Sequence, residues 1–374
     1  EIALEINVAA TVNPEFGDYQ CNNVLPLAKA LKQKPRDLAG AVVAQAGSHP
    51  AVARVEIAGP GFINLYLNDA AVIDEVERIV VNDTVVMPQV GAGETVVIDY
   101  SSPNVAKPMH IGHIRSTIIG CALDRLYRAL GYKVIADNHI GDWGTQFGIM
   151  LMGFKHLRDE KALAVNPVEE LERIYVASYN RTKEDESWLA SCRQELVKLQ
   201  AGDSENLALW QKFVDWSKGE FERVYQRLGV QFDLARGESF YNDRLPAMMT
   251  RLEAAGLVEE SEGAQVVFLE DEGLPVCIVQ KSDGAFNYAT TDLATVASRV
   301  EEFNPVRIIY VTDERQQLHF KQFFAICSKL GITTNLCHVY FGLMRLPEGT
   351  ISTREGNIIK LEALLDEAEQ RALV

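Results

Sequence analysis

No stretch of this sequence approaches the roughly 18 consecutive apolar residues that a membrane helix needs. Apolar runs such as Ile79-Val80-Val81 and Ile308-Ile309-Tyr310-Val311 have the length of a strand or part of a helix. The 6 Cys are scattered and none forms a Cys-x-x-Cys pair. A disulfide scaffold and a zinc framework are therefore not expected, and the thiols read as reduced core residues of a cytoplasmic protein. Positive charge is scarce: 36 Lys and Arg stand against 52 Asp and Glu, a formal net charge of -16. A generic nucleic-acid coat protein would be basic. Tight non-specific binding is disfavoured, while a local basic face would still allow a nucleic-acid partner. Neither a Walker loop nor a G-x-G-x-x-G turn is present, so P-loop and dinucleotide-binding readings lose support. No secretory segment opens the chain. It starts at Glu1 rather than Met and stops at Val374 within an apparent helix, which points to trimmed ends.

What is present is an ordinary globular composition: 374 residues, 47% hydrophobic and 24% charged, enough for two or three domains. Residues 1–81 read as a small α+β N-terminal domain. Helical spacing runs over 22–31 and 35–46, and alternation gives strands at 52–57 and 62–67 around the turn Gly59-Pro60-Gly61. Residues 82–94 carry Pro88, Gly91 and Gly93 with little periodicity and read as a linker. From Thr95 the character changes. Thr95 to Tyr100 is a buried-strand pattern, Ile114 to Leu130 repeats apolar residues at helical spacing before Gly131, and Tyr132 to Ala136 is a second strand. Strand, helix and strand make a βαβ unit, hence a doubly wound, Rossmann-like parallel sheet in an α/β domain spanning 95–374. A polar helical insertion with Trp188, Trp210 and Trp216 as packing anchors fills about 155–275, the strand pair 266–269 and 276–279 closes it, and strands at 307–311 and 339–343 return to the sheet.

The loop Ser102-Pro103-Asn104-Val105-Ala106-Lys107-Pro108-Met109-His110-Ile111-Gly112-His113 follows the first strand and opens the first helix, where α/β sheets bind ligands. A helix N-terminus offers N–H groups and partial positive charge to a phosphate. Gly112 leaves room for a flat base against its backbone. His110 and His113, three apart, can both face the phosphates as donors, and Lys107 adds a charge. Such donors suit a pentavalent phosphate under attack by a carboxylate. The competing explanation, two surface histidines in a loop, does not account for the strand–loop–helix frame.

His110-Ile111-Gly112-His113 is the His-Ile-Gly-His motif of class I aminoacyl-tRNA synthetases, and the surrounding sequence resembles the arginyl-tRNA synthetase family. Ser102-Pro103-Asn104-Val105-Ala106-Lys107, Gly141-Asp142-Trp143-Gly144-Thr145-Gln146-Phe147-Gly148 and Phe16-Gly17-Asp18-Tyr19-Gln20 all carry that likeness, which runs over nearly the whole chain. The resemblance implies an arginine–tRNA ligase. ATP, with Mg2+ on its phosphates and no dedicated protein metal site, would activate L-arginine, and tRNA(Arg) would receive the product and be needed for the first step. A cytoplasmic protein that acts as a monomer, with no membrane partner, is expected. The alternatives are another His-x-Gly-His adenylyltransferase or a non-catalytic, synthetase-like RNA-binding protein.

A guanidinium wants a carboxylate in planar, bidentate geometry. Tyr288 and Asp292, four apart, share a face if helical. By resemblance they are arginine ligands together with Gln316, while Asn104 and His113 match the family's contacts to the amino-acid end; Ser102 is a further candidate arginine contact and Glu238 a candidate second carboxylate. ATP would meet His110, Gly112, His113 and the loop holding Ser352, Thr353 and Arg354. Catalysis would fall to Lys107, His110, His113 and Arg354. That loop replaces Lys-Met-Ser-Lys-Ser and lacks both lysines; Lys107 is the expected substitute, and Glu355 is unexpected beside a triphosphate. The first domain resembles the family's N-terminal domain, which touches the outer corner of the tRNA. Phe16, Tyr19 and Gln20 would read an unpaired base there, with packing inside the small domain as the rival explanation. Lys29, Lys32, Lys34 and Arg36 form a short basic run nearby. The family's helical anticodon-binding domain, which follows the Ser-Thr-Arg loop, is expected to be missing, and weak tRNA binding is expected with it.

Overall fold

Around Gly59-Pro60-Gly61 two alternating strands pair antiparallel, and the rest of the first sheet is added to one side of them. It comprises Val8–Ala10 (β1), Tyr19–Cys21 (β2), Val52–Ala58 (β3) and Phe62–Leu67 (β4), antiparallel in the order β1-β2-β4-β3. Helices Val24–Leu31 (α1) and Pro35–Ala46 (α2) bury Val24 and Ala39 against Ile63, with Leu38, Val43, Ile57 and Leu65 around them. Asp69–Asn82 forms a third helix, α3. The computed structural model describes residues 7–82, 87–342, 345–346, 349–350 and 360–373. The chain divides into two units, Glu1–Met87 and Pro88–Val374. Strands β1 and β2 and helix α3 are not among the expected elements, although Val72, Ile73, Val76, Ile79 and Val80 recur at helical spacing along α3. Helix α3 runs one residue into the stretch expected to be a linker.

In the second unit, Thr95–Asp99 (β5), helix Ile111–Ala129 (α4) and Lys133–Asp137 (β6) form the expected βαβ unit. Along β5, Val96 and Ile98 enter one hydrophobic cluster and Val97 the other, so both faces are covered. Five helices follow: Gln146–Leu157 (α5), Glu160–Val165 (α6), Pro167–Arg181 (α7), Glu186–Gln200 (α8) and Ser204–Leu228 (α9). Trp188 is buried in this bundle and donates to Ser178 Oγ, and Trp210 donates to the Asp142 carbonyl. Trp216 packs beside Phe154 and Phe213. Helix Leu245–Ala254 (α10) leads to a three-stranded antiparallel sheet, Glu259–Ser261 (β7), Ala264–Val267 (β8) and Cys277–Gln280 (β9).

The chain then re-enters the main sheet through Tyr288–Phe303 (α11), Arg307–Asp313 (β10), Gln317–Lys329 (α12) and Asn335–Phe341 (β11). The order is β11-β10-β5-β6, parallel throughout. The last strand begins at Asn335 rather than Val339, because its seven residues pair with all of β10, from Arg307↔Asn335 to Asp313↔Phe341. Two short strands, Arg345–Leu346 (β12) and Gly349–Thr350 (β13), precede helix Leu361–Ala372 (α13). Strand β5 feeds α4 toward β6, while β10 feeds α12 toward β11. The two connections leave in opposite directions, which opens a crevice at the C-terminal ends of β5 and β10. Among the described residues no helix is long and apolar enough to cross a membrane.

Candidate active site

The loop after β5 is held in a conformation that L-residues avoid. Ser101, Ser102 and Ala106 have φ of 70°, 49° and 63°. Such strain persists where the surroundings over-determine it, and here they do. Ser101 N–H donates to Ser116 Oγ at 2.9 Å, and Ser101 Oγ bonds Tyr225 Oη at 2.8 Å. Ser102 N–H reaches Asn138 Oδ1, its hydroxyl reaches Asp99 Oδ1 at 2.9 Å, and Ala106 N–H reaches Ser217 Oγ. Asn104 lies exposed, with its backbone bridged to Gly141. A Cβ at Gly141 would lie 2.1 Å from Asn104 Oδ1, so a side chain there would push the Asn104 amide aside.

Helix α4 starts on its own histidines. His110 is the N-cap, and its Nδ1 accepts from Gly112 N–H at 3.1 Å. His113 Nδ1 accepts from His110 N–H at 3.1 Å, and the rings lie 4.0 Å apart. With each Nδ1 lone pair occupied, each ring carries its proton on Nε2. Burial, aided by Lys107 and Arg315, holds His110 below the ordinary imidazole range. Burial, with His110 beside it, pushes His113 down to about 3. Both rings are thus uncharged Nε2–H donors at neutral pH. Lys107 Nζ sits 4.8 Å from the centre of the Tyr175 ring.

The second cluster lies where α11 and α12 meet the segment after residue 236. Asn287 caps α11, so Tyr288 opens it and Asp292 follows one turn later. Asp292 Oδ2 takes a bond from His319 Nε2 of α12 at 2.5 Å. Tyr288 is exposed, with its ring edge-on to His319 at 4.7 Å. Glu238 opens a 3-10 turn, Glu238–Arg244, fixed by the buried Asp142, whose carboxylate accepts Ser239 N–H at 2.8 Å and Ser239 Oγ at 2.7 Å. Burial and then the negative charges of Asp292 and Asp142 push the Glu238 carboxyl up to about 8. Gln316 is exposed at the start of α12, three residues before His319. Ser352, Thr353 and Arg354 lie outside the described residues. In the first unit, Phe16 and Tyr19 are exposed, whereas Gln20 donates to the buried Asn64 at 2.7 Å.

Sequence reasoning missed the floor of this crevice. Arg299 of α11 is buried, and its Nη2 bonds Asp99 Oδ2 at 2.7 Å and Asp137 Oδ2 at 2.8 Å. Two aspartates ending adjacent apolar strands, and an arginine seven residues beyond Asp292, were the available signal. His319 and the role of Asp142 were missed as well. Among the described residues no three His, Cys, Asp or Glu side chains cluster as a metal site.

A parallel sheet split by a helical insertion, with a histidine-capped helix at its switch point, is the design of a class I aminoacyl-tRNA synthetase catalytic domain. The profile described as "tRNA synthetases class I (R), catalytic domain" matches residues 75–374, and that described as "Arginyl tRNA synthetase N terminal domain" matches residues 1–67. The chain belongs to the arginyl-tRNA synthetase family. It is 45% identical over 368 residues to the arginine–tRNA ligase of Fusobacterium nucleatum subsp. nucleatum, covering 98% of this chain and 64% of that protein. It is 44% identical to the arginine–tRNA ligase of Azotobacter vinelandii, covering 98% and 65%. The crystal structure of arginyl-tRNA synthetase from Plasmodium falciparum superposes with a TM-score of 0.77 at 27% identity, over 99% of this chain and 64% of that one. The Thermus thermophilus arginyl-tRNA synthetase shares the fold, with a TM-score of 0.78 at 20% identity over 99% and 67%. The chain thus spans about 64–65% of the length of these two curated relatives.

Proposed function

We propose that this chain carries the chemistry of an arginine–tRNA ligase, activating L-arginine with ATP and passing it to the 3′ end of tRNA(Arg). The reading is supported by the uncharged histidine-capped N-terminus of α4 after β5, together with the acidic cluster of Asp292 and Glu238 edged by Tyr288. An arginine carboxylate oxygen attacks the α-phosphorus of ATP, and the bond to the pyrophosphate oxygen breaks. The Nε2–H groups of His110 and His113, the positive end of α4 and Lys107 meet the charge that grows on the phosphate. Gly112 leaves room for the adenine, and Ser352, Thr353 and Arg354 hold the triphosphate. Mg2+ arrives on the ATP phosphates as part of that substrate. Asp292, Glu238, Tyr288 and Gln316 hold the guanidinium end. Asn104 and Ser102 meet the amino-acid end; the Ser102 hydroxyl donates to Asp99 and so offers its lone pairs to an ammonium. The terminal ribose hydroxyl of tRNA then attacks the adenylate carbonyl carbon, losing its proton as AMP departs. The first unit presents Phe16 and Tyr19, with Gln20 alongside, to the tRNA corner, and bound tRNA completes the site for activation. The enzyme works in the cytoplasm as a monomer.

The deciding experiment is calorimetric titration with L-arginine against L-lysine, with and without tRNA. Arginine binding far more tightly than a weak but measurable lysine binding supports the reading; lysine binding as tightly as arginine removes it. Asp292→Asn should weaken arginine by about 10–100-fold, the worth of a charge-assisted hydrogen bond, and leave the ATP dissociation constant unchanged. An unaltered arginine affinity would take Asp292 out of the pocket.

The elevated Glu238 carboxyl gives a sign for pH dependence. Below about 8 it is protonated in the free protein, whereas a guanidinium favours its ionised form. Arginine binding should therefore release a proton, and affinity should rise with pH up to about 8, by at most about tenfold per pH unit. Titrations in buffers of different ionisation enthalpy measure the release directly. Affinity that falls on raising the pH from about 6 to about 8 contradicts it. The same group makes folding less stable as pH rises from the ordinary carboxylate range toward about 8, because the folded state then holds the extra proton.

A further inference from the structure

Asp292 is not a free carboxylate waiting for a ligand. Its Oδ2 is engaged by His319 Nε2 at 2.5 Å, across the junction of α11 and α12. A carboxylate can only accept, so the shared proton belongs to Nε2 of the ring. The imidazole is itself clamped: it lies 5.1 Å from the ring of Phe323, 5.5 Å from Phe320 and edge-on to Tyr288 at 4.7 Å. Phe320 and Phe323 are core residues, and the His319 side chain is only 14% exposed. A side chain held on three sides by aromatic rings cannot follow the carboxylate around, so the carboxylate is set by it.

The geometry points to His319 as a positioning residue that fixes the plane of the Asp292 carboxylate and so selects a planar guanidinium over an ammonium. The inference rests on the arginine pocket proposed above. A carboxylate has about four lone-pair sites. His319 takes one and stops rotation about the last side-chain bond, leaving the others in a fixed plane. A guanidinium needs both oxygens in its own plane to form two parallel bonds, whereas an ammonium is a point charge satisfied by any oxygen direction. Losing His319 should hurt arginine and barely touch lysine. Loss of charge or of folding would weaken both cations together.

The test uses the whole chain, with and without tRNA, and titrates L-arginine and L-lysine into His319→Ala, His319→Gln and His319→Asn. Glutamine carries an N–H donor as many bonds from Cα as Nε2 of histidine, and asparagine falls short. Alanine and asparagine should raise the arginine dissociation constant by about 10–100-fold, the usual effect of removing a partner that orients a ligand group. Lysine should shift far less, so the ratio of the two affinities collapses, and glutamine should restore most of it. A ratio unchanged in His319→Ala overturns the inference, as does a parallel loss of both ligands. If the alanine variant fails to fold, the contrast between glutamine and asparagine carries the same comparison, and equal behaviour of those two overturns it. A wild-type chain that binds no arginine under either condition overturns the pocket itself; a wild type that binds arginine alongside an unaffected variant overturns only the role of His319.

Discussion

Arg299→Met is expected to destabilise the catalytic unit by about 3–5 kcal/mol, the cost of removing one partner from a buried ion cluster. Asp99 and Asp137 face each other in register at the ends of adjacent parallel strands. Both are buried, and the guanidinium of Arg299 bridges them from α11. Without it two carboxylates would be left side by side, away from water and without a counter-charge. Asp99 also accepts the hydroxyl of Ser102, so loosening it loosens the strained loop that leads to His110. A denaturant melt measures the loss. A triple change, Arg299→Met with Asp99→Asn and Asp137→Asn, should recover part of it, because no charge is then stranded. A single-variant loss below about 1 kcal/mol would show that the cluster is not what holds these strand ends.

The contrast between what was legible and what was not follows from distance along the chain. The βαβ unit shows in the sequence because its signals are local: an apolar run, a helical repeat and Gly131 within forty residues. Even there α4 begins at Ile111 rather than Ile114, since its first turn is fixed by the polar cap His110 and not by an apolar stripe. Strand β11 is longer than expected because Asn335 and His338 break its apolar pattern while the parallel ladder to β10 still includes them. Strands β1 and β2 are three residues each and mostly outside any core, so no alternation marks them. In the site, the His110–His113 and Tyr288–Asp292 pairs are three and four residues apart and visible as spacing. The partners that set them are not. His319 lies 27 residues from Asp292, Asp142 is 97 from Ser239, and Arg299 is 200 from Asp99. Only the packed fold brings such residues together.

His113→Ala should lower arginyl-adenylate formation by about 10²–10³-fold while leaving ATP affinity nearly intact. The size is that of losing one pre-aimed donor to transition-state charge. The asymmetry follows because such a contact strengthens as the phosphate gains charge, so its loss appears in the rate rather than in ground-state binding. The structure separates this role from helix capping. Nδ1 of His113 is spent on His110 N–H, leaving Nε2–H as the donor. His113→Asn keeps an acceptor near the Nδ1 position and loses the donor, so it should be more stable than the alanine variant and about as inactive. His113→Gln places an amide N–H near the Nε2 position and should keep part of the rate. Because burial and His110 hold the ring near 3, it stays neutral through the physiological range, and no limb of the pH–rate profile should belong to it. ATP–pyrophosphate exchange with arginine and tRNA present reads the rate, and calorimetry reads ATP binding. Equal losses in both would make His113 a ground-state ligand, and an active asparagine variant would make it only a cap.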